Sequence, residues 1–405
     1  MRIPDAARPE DTGLSSTGLD KVDAGLQELI DKGELAGAVT LVARHGRVAR
    51  RSVLGLNNVE HRTKLAEDTI FRIYSMTKPV TAVAMMILHD QGLWKPEDPI
   101  AKFLPSFAGA KVVADDADPS KLVAADHAPT ISELMTHTAG LTYGMTDSPL
   151  DELYKAADIW HAGSLAGFAE RLGRLPLAYQ PGTKWLYSLA MDVQGAIIEA
   201  LGGQKLADFM RTRIFEPLGM SDTGFFVPPE KVGRLATLYR TSRTDGLVAM
   251  ERPPMHGDNL SPPTVPSGGG GLVSTLDDYA RFAQMLLNGG ELGARVLSPP
   301  AVALMSRNHL SDALINGGFG VGAQSIRPGF GYGYNCAVFT DPVKAGLPVG
   351  KGTFQWDGAA GTWFWVDPEN DLIFVGMIQR LSMMMDQANP QQVTQRLLAG
   401  AIIRD

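Results

Sequence analysis

Strand signals crowd the two ends of this chain and helix signals fill its middle, and any fold has to reconcile them. Near the N-terminus, "AGAVTLVARHGRVARRSVLG" reads as two strands around a His45-Gly46 turn. Near the C-terminus, "GTWFWVDPENDLIFVGMI" reads as a hairpin folded about Asp367-Pro368-Glu369-Asn370. Before it, "GGFGVGAQ" and "GFGYGYNCAVF" alternate glycine with larger residues, as closely packed antiparallel strands do. "LDKVDAGLQELIDKGEL" has helical spacing, a helix is expected from near Ser75 to Gly92, and the chain onward to about residue 285 reads as mostly helical. In "STLDDYARFAQMLLNGG" Thr275 can cap a helix that Gly289-Gly290 ends. The economical solution is an α/β (α+β) protein with one antiparallel sheet flanked by helices and built from both termini. At 405 residues the chain is long for a single core. We therefore expect residues 1–80 and 290–405 to form the sheet domain, residues 81–289 a mainly helical domain, and the active site to lie between them.

A net charge of −7 leaves no basic footprint for nucleic acid. No apolar run approaches bilayer length, so no membrane partner is expected. The first residues, "MRIPDAARPEDTGLSSTG", have no apolar signal core, and Cys336 is the single cysteine; both point to a cytoplasmic setting. With no HExxH, no CxxC and no clustered histidines, neither a metal nor an organic cofactor is expected.

Chemistry enters at "IYSMTKPVT", residues 73–81. Residues three apart share a helix face, so Lys78 lies beside Ser75. Pro79 is tolerated only in a first turn, which puts the helix start close to Ser75. A serine alkoxide needs a nearby base, and a lysine can serve when desolvation lowers its pKa. Taken alone the string is weak. With 20 serines and 14 lysines, roughly one S-x-x-K match arises by chance, and there is one. A capping serine and a solvent-facing lysine would look the same.

The neighbouring blocks change this. "FRIYSMTKPVTAVAMMILHDQGLWKPEDPIAKFLPSF", "ISELMTHTAGL", "PGTKWLYSLAMDVQGAIIEALGG" and "PSGGGGLVSTLDDYARFAQMLL" resemble, in that order, the serine β-lactamase and penicillin-binding family near its class C branch. The resemblance spans about residues 20–380 and implies a β-lactamase-like fold. It implies Ser75 as acylated nucleophile with Lys78 beside it. The family's Y-x-N falls on Tyr187-Ser188-Leu189, implying Tyr187 as a proton shuttle, with either Tyr187 or Lys78 as the base that takes the proton from Ser75; alone, Tyr187 would read as a packed aromatic. Its K-T-G falls on Trp356-Asp357-Gly358, and the residue after that glycine, Ala359, would give its N–H to an oxyanion hole together with the N–H of Ser75.

Two family residues are absent. Leu189 replaces an amide able to bind a substrate amide, and Trp356 replaces a cation able to hold a substrate carboxylate. The site keeps acyl-transfer groups and becomes more apolar, which is similar to the family VIII carboxylesterases. Trp185, Trp356, Trp363 and Trp365 point the same way. No serine has the G-x-S-x-G elbow that would recruit a histidine base. His137 therefore reads as structural, His256 sits in a Pro-rich loop, and Ser267 before "GGGG" reads as a turn residue.

The expected function is hydrolysis of short-to-medium acyl carboxylic esters through an acyl-enzyme on Ser75, with a small-molecule ester as partner. The alternatives are an acyltransferase on the same site, a β-lactamase or D-amino-acid peptidase, and an inactive binding protein on this scaffold.

Overall fold

His45 and Gly46 both take positive φ, 53° and 67°, the geometry of a two-residue hairpin turn whose twist matches its strands. They join β1 (Gly37–Arg44) to β2 (Arg47–Asn58), paired antiparallel. The structure is a computed structural model describing residues 2–403 apart from 243, 245, 318, 322, 323, 327 and 382–388.

β1 pairs on its other side with a strand more than 300 positions away in sequence. A short β3 (Thr63–Lys64) follows β2, and the C-terminal part supplies β4 (Phe330–Tyr332), β5 (Ala337–Phe339), β6 (Phe354–Asp357), β7 (Trp363–Asp367) and β8 (Leu372–Met377). The eight strands run in the order β4-β5-β6-β7-β8-β1-β2-β3, and every neighbouring pair is antiparallel. Both ends of the chain thus build one sheet, joined through the β1–β8 pairing of Val39 with Met377 to Arg44 with Leu372. The expected "GGFGVGAQ" strand falls partly outside the described residues; Phe319–Val321 and Gln324–Ile326 form a separate pair.

Alternation along the strands divides the core in two. On one face Ala38, Val42, Trp363, Trp365, Leu372 and Phe374 are buried under α1 (Ser16–Asp31) and the C-terminal helix. Ser15 caps α1 by accepting the Gly18 N–H at 3.2 Å. On the other face Val39, Leu41, Phe364, Val366, Ile373 and Val375 join the large core that includes the site.

That second core contains α2 (Thr77–Asp90), α3 (Ala190–Gly202) and α4 (Leu276–Leu287). Thr275 caps α4 as its sequence predicts. α4 was expected within the helical segment, yet it lies on β1, β7 and β8. We propose that the sheet unit therefore begins ahead of Leu276 rather than at residue 290, with the helical unit before it. The middle of the chain also holds two small β pieces that periodicity missed, Lys111–Val113 with Leu122–Ala124 and Tyr239–Ser242 with Gly246–Ala249. Runs of three or four residues are too short to reveal a period of two. Among the described residues no helix is long and apolar enough to cross a membrane.

The face under α1 has little slack. Trp365 stacks on Phe374 with centroids 4.2 Å apart, and a Cβ at Gly376 would lie 2.2 Å from the Trp363 ring. Gly376→Ala should therefore lower stability by about 1–3 kcal/mol, the usual cost of overpacking. The measurement is the urea midpoint of unfolding; an unchanged midpoint would contradict this packing.

Candidate active site

Ser75 sits in a single 3-10 turn, Tyr74–Met76, that runs straight into α2. Pro79 falls in the first turn of α2, where an N–H has no helical partner to lose. The turn is held from three sides. Ile73 N–H donates to Leu272 O at 3.1 Å, the Tyr279 hydroxyl donates to Met76 O at 2.8 Å, and Leu272 N–H donates to Thr77 Oγ1 at 3.1 Å. Tyr74 is forced to φ 42°, a conformation costing a non-glycine residue about 1–3 kcal/mol. Strain beside Ser75 is maintained by these surrounding bonds.

One helical turn on, Lys78 has no exposed surface. Its Nζ donates to the Gly269 carbonyl at 2.6 Å and lies 3.1 Å from Ser75 Oγ and 3.0 Å from the Tyr143 hydroxyl. Burial pulls its pKa down to about 7, against the opposing pull of Asp192 and Asp357. A neutral amine has two N–H bonds and one lone pair. The carbonyl can only accept, so it takes one N–H; the lone pair remains for a hydroxyl proton.

Tyr187 arrives from the loop before α3, and its hydroxyl lies 2.7 Å from Ser75 Oγ. Its ring is 4.5 Å from Lys78 Nζ, measured to the centroid. Burial raises the phenol pKa, with the Ser75 hydrogen bond and the Trp356 indole pulling the other way, so Tyr187 keeps its proton at neutral pH. Trp185 and Trp356 flank the ring at 6.2 and 5.9 Å. His137 packs on it at 4.8 Å and accepts the Ser188 N–H at 3.2 Å. Burial keeps His137 neutral, and it holds the segment that carries Tyr187.

The end of β6 and the turn after it lie beside Ser75. Gly358 has no room for a side chain, because a Cβ would come within 2.3 Å of the Ile73 carbonyl. Gly358 N–H donates to Thr362 O at 2.7 Å, and Gly361 N–H donates to Gly358 O at 2.8 Å. Ala359, at the tip of this turn, is exposed, and among the described residues its N–H has no partner. Trp363 and Trp365 do not line the site. Trp356 pairs with Phe364, so the two flanking tryptophans point to the opposite face of the sheet, under α1. Leu189 is buried and brings no polar group.

Sequence reasoning missed Tyr143 and Asp192. Tyr143 gives Lys78 a second phenol; its pKa is raised well above the usual value by burial, and Gly140 and Gly144, both at positive φ, bracket it. Asp192, in the first turn of α3, accepts Ser267 Oγ–H at 2.6 Å and Gly269 N–H at 3.0 Å. Ser267 thus serves as a ligand of Asp192, in addition to turning the chain. The glycines after it answer to close approach: a Cβ at Gly268 would lie 2.4 Å from Met191 O, and one at Gly270 2.5 Å from the His256 ring. His256 is held neutral by burial, with its pKa lowered to about 4. No group of three or more His, Cys, Asp or Glu side chains suited to a metal occurs among the described residues.

Comparison with known proteins agrees over nearly the whole chain. Residues 22–397 match the family described as Beta-lactamase. Protein Rv1367c of Mycobacterium tuberculosis is 39% identical over 373 residues, covering 89% of this chain and 90% of that protein. Esterase EstB of Burkholderia gladioli is 34% identical over 365 residues, covering 85% and 86%. Among solved structures, "EstCE1, a hydrolase with promiscuous acyltransferase activity" is similar with a TM-score of 0.79 and 28% identity, over 95% of this chain and 99% of that one. A match of this extent makes the chain a member of the Beta-lactamase family, a serine hydrolase of that fold.

Proposed function

We propose that the chain is a carboxylesterase acting on small esters through an acyl-enzyme on Ser75. The observation that carries this reading is the contact set of Ser75 Oγ: a buried amine at 3.1 Å and a protonated phenol at 2.7 Å. An amine with a pKa of about 7 takes a proton at neutral pH, and a phenol with a raised pKa gives one.

Each step then balances. Ser75 Oγ bonds to the ester carbonyl carbon while its proton passes to Lys78 Nζ. The negative oxygen faces the Ala359 and Ser75 N–H groups, an arrangement worth a few kcal/mol per donor in comparable sites. The ester C–O bond breaks, the leaving alkoxide takes the Tyr187 proton, and the Lys78 ammonium restores it. Water repeats the sequence and returns the proton to Ser75. Leu189 and Trp356 leave no amide or cation there for a peptide or a β-lactam carboxylate, which favours an ester with apolar groups against Trp185 and Trp356. The esterase activity in the name of the EstB relative supports the same reading.

Three outcomes follow. Ser75→Ala should reduce p-nitrophenyl ester hydrolysis to the uncatalysed rate and abolish fluorophosphonate labelling; retained turnover would remove the nucleophile from the scheme. Only the neutral amine accepts a proton, so kcat/KM should climb as pH rises through about 7 and then level off. Tyr187→Phe should cost about 10²–10⁴ in kcat/KM and keep that acid limb. A limb lost with the phenol would transfer the base role to Tyr187.

A second reading, acyl transfer to an alcohol, is favoured by the likeness to EstCE1. Product analysis separates the two: with a primary alcohol present, hydrolysis yields free acid and transfer yields a new ester.

A further inference from the structure

Asp192 is as buried as Lys78 and has no place in the scheme above. Both of its accepted hydrogen bonds, from Ser267 Oγ–H and Gly269 N–H, go to Oδ1. Oδ2 is buried with no hydrogen-bond partner among the described residues. The carboxylate and the Tyr143 hydroxyl close on the same glycine: a Cβ on Gly269 would sit 2.8 Å from Oδ2 and 3.3 Å from the Tyr143 hydroxyl. The peptide unit of Gly269 therefore bridges two functions. Its N–H is held by the carboxylate, and its carbonyl takes a Lys78 N–H. Thr81, one turn after Lys78 on α2, donates to Gly268 O at 2.7 Å and fixes the same loop from the other helix.

A purely structural acceptor would not need charge, and a buried carboxylate is costly unless something opposes it. Burial raises the Asp192 pKa, while the Ser267 hydroxyl, the Lys78 cation and the Gly269 N–H pull it back toward the ionised form. Of the other groups facing Lys78, Tyr143 and Tyr187 keep their protons and His137 and His256 are held neutral by burial; Asp357 pulls in the same direction as Asp192, but it is partly exposed, where water weakens its field.

We propose that Asp192 is a positioning residue that seats the Gly269 carbonyl on Lys78 and supplies the buried negative charge that governs how strongly Lys78 holds a proton. It deepens the reading of Lys78 as proton acceptor and rests on that reading for its catalytic meaning. Asp192→Asn keeps an oxygen that can accept from Ser267 and Gly269 while removing the charge. Ser267→Ala removes one donor, which weakens the ionised form of Asp192 and works in the same direction to a smaller degree.

The test reads Lys78 directly, by a pH titration of its Cε resonance in protein carrying 13C-labelled lysine, assigned through its loss in Lys78→Arg. Asp192→Asn should move the Lys78 midpoint down by about one unit or more, and Ser267→Ala should move it down by less. The acid limb of kcat/KM should shift with it, and KM should change little. An unchanged midpoint in both variants overturns the proposal; if Asp192→Asn does not fold, Ser267→Ala decides alone. A wild-type chain that hydrolyses no ester, with these shifts still present in the two variants, would overturn the esterase reading and leave the assignment to Asp192 standing.

Discussion

The site depends on one desolvated amine. Lys78 has no exposed surface, and an ammonium in that position loses most of its hydration. The protein meets this cost in part, with one carbonyl at 2.6 Å and two acidic neighbours, and lets the rest appear as a pKa lowered to about 7. A lysine on the surface would keep its proton at neutral pH and could not accept another from Ser75. Burial thus turns an ordinary cation into a usable base, without a histidine.

The fold exists in the form needed to keep that amine dry. β1 and β8 join the chain ends into one sheet, and α4 lies on the face that also packs against the site. The tip after β6 comes up against the Ile73 carbonyl, so the end of that strand and the Ser75 turn are in direct contact. From the other side, the Ser267–Gly271 loop enters between α2 and α3 and caps Lys78 with its backbone. Glycine occupies that loop because helix backbone, carboxylate and imidazole each fill the space of a side chain. The placement of the amine and the composition of the loop are one constraint.

Local features were legible in the sequence because local physics decides them. The turn at His45-Gly46, the Asp367–Asn370 hairpin and the Thr275 cap follow from residues within a few positions of each other. Pro79 likewise located the start of α2 beside Ser75. What depended on register or long-range packing was not legible. The two tryptophans of β7 share a face by their spacing of two, yet which face holds the site is fixed only by the pairing of Trp356 with Phe364. Asp192 sits in the first turn of a helix, where an acid is favoured by the helix dipole whatever it touches, so its burial against Ser267 left no trace in the pattern. Tyr143 lies in a loop whose flanking glycines signal turns and nothing of the amine beyond them.

The central claim is that Ser75, activated by a buried amine, carries the acyl group. Rapid-quench mass spectrometry of the protein mixed with p-nitrophenyl acetate tests it most directly. The account predicts an acetyl adduct on the peptide containing Ser75, formed and lost at rates that match turnover. Turnover with no adduct, or with the adduct on a different residue, would contradict it.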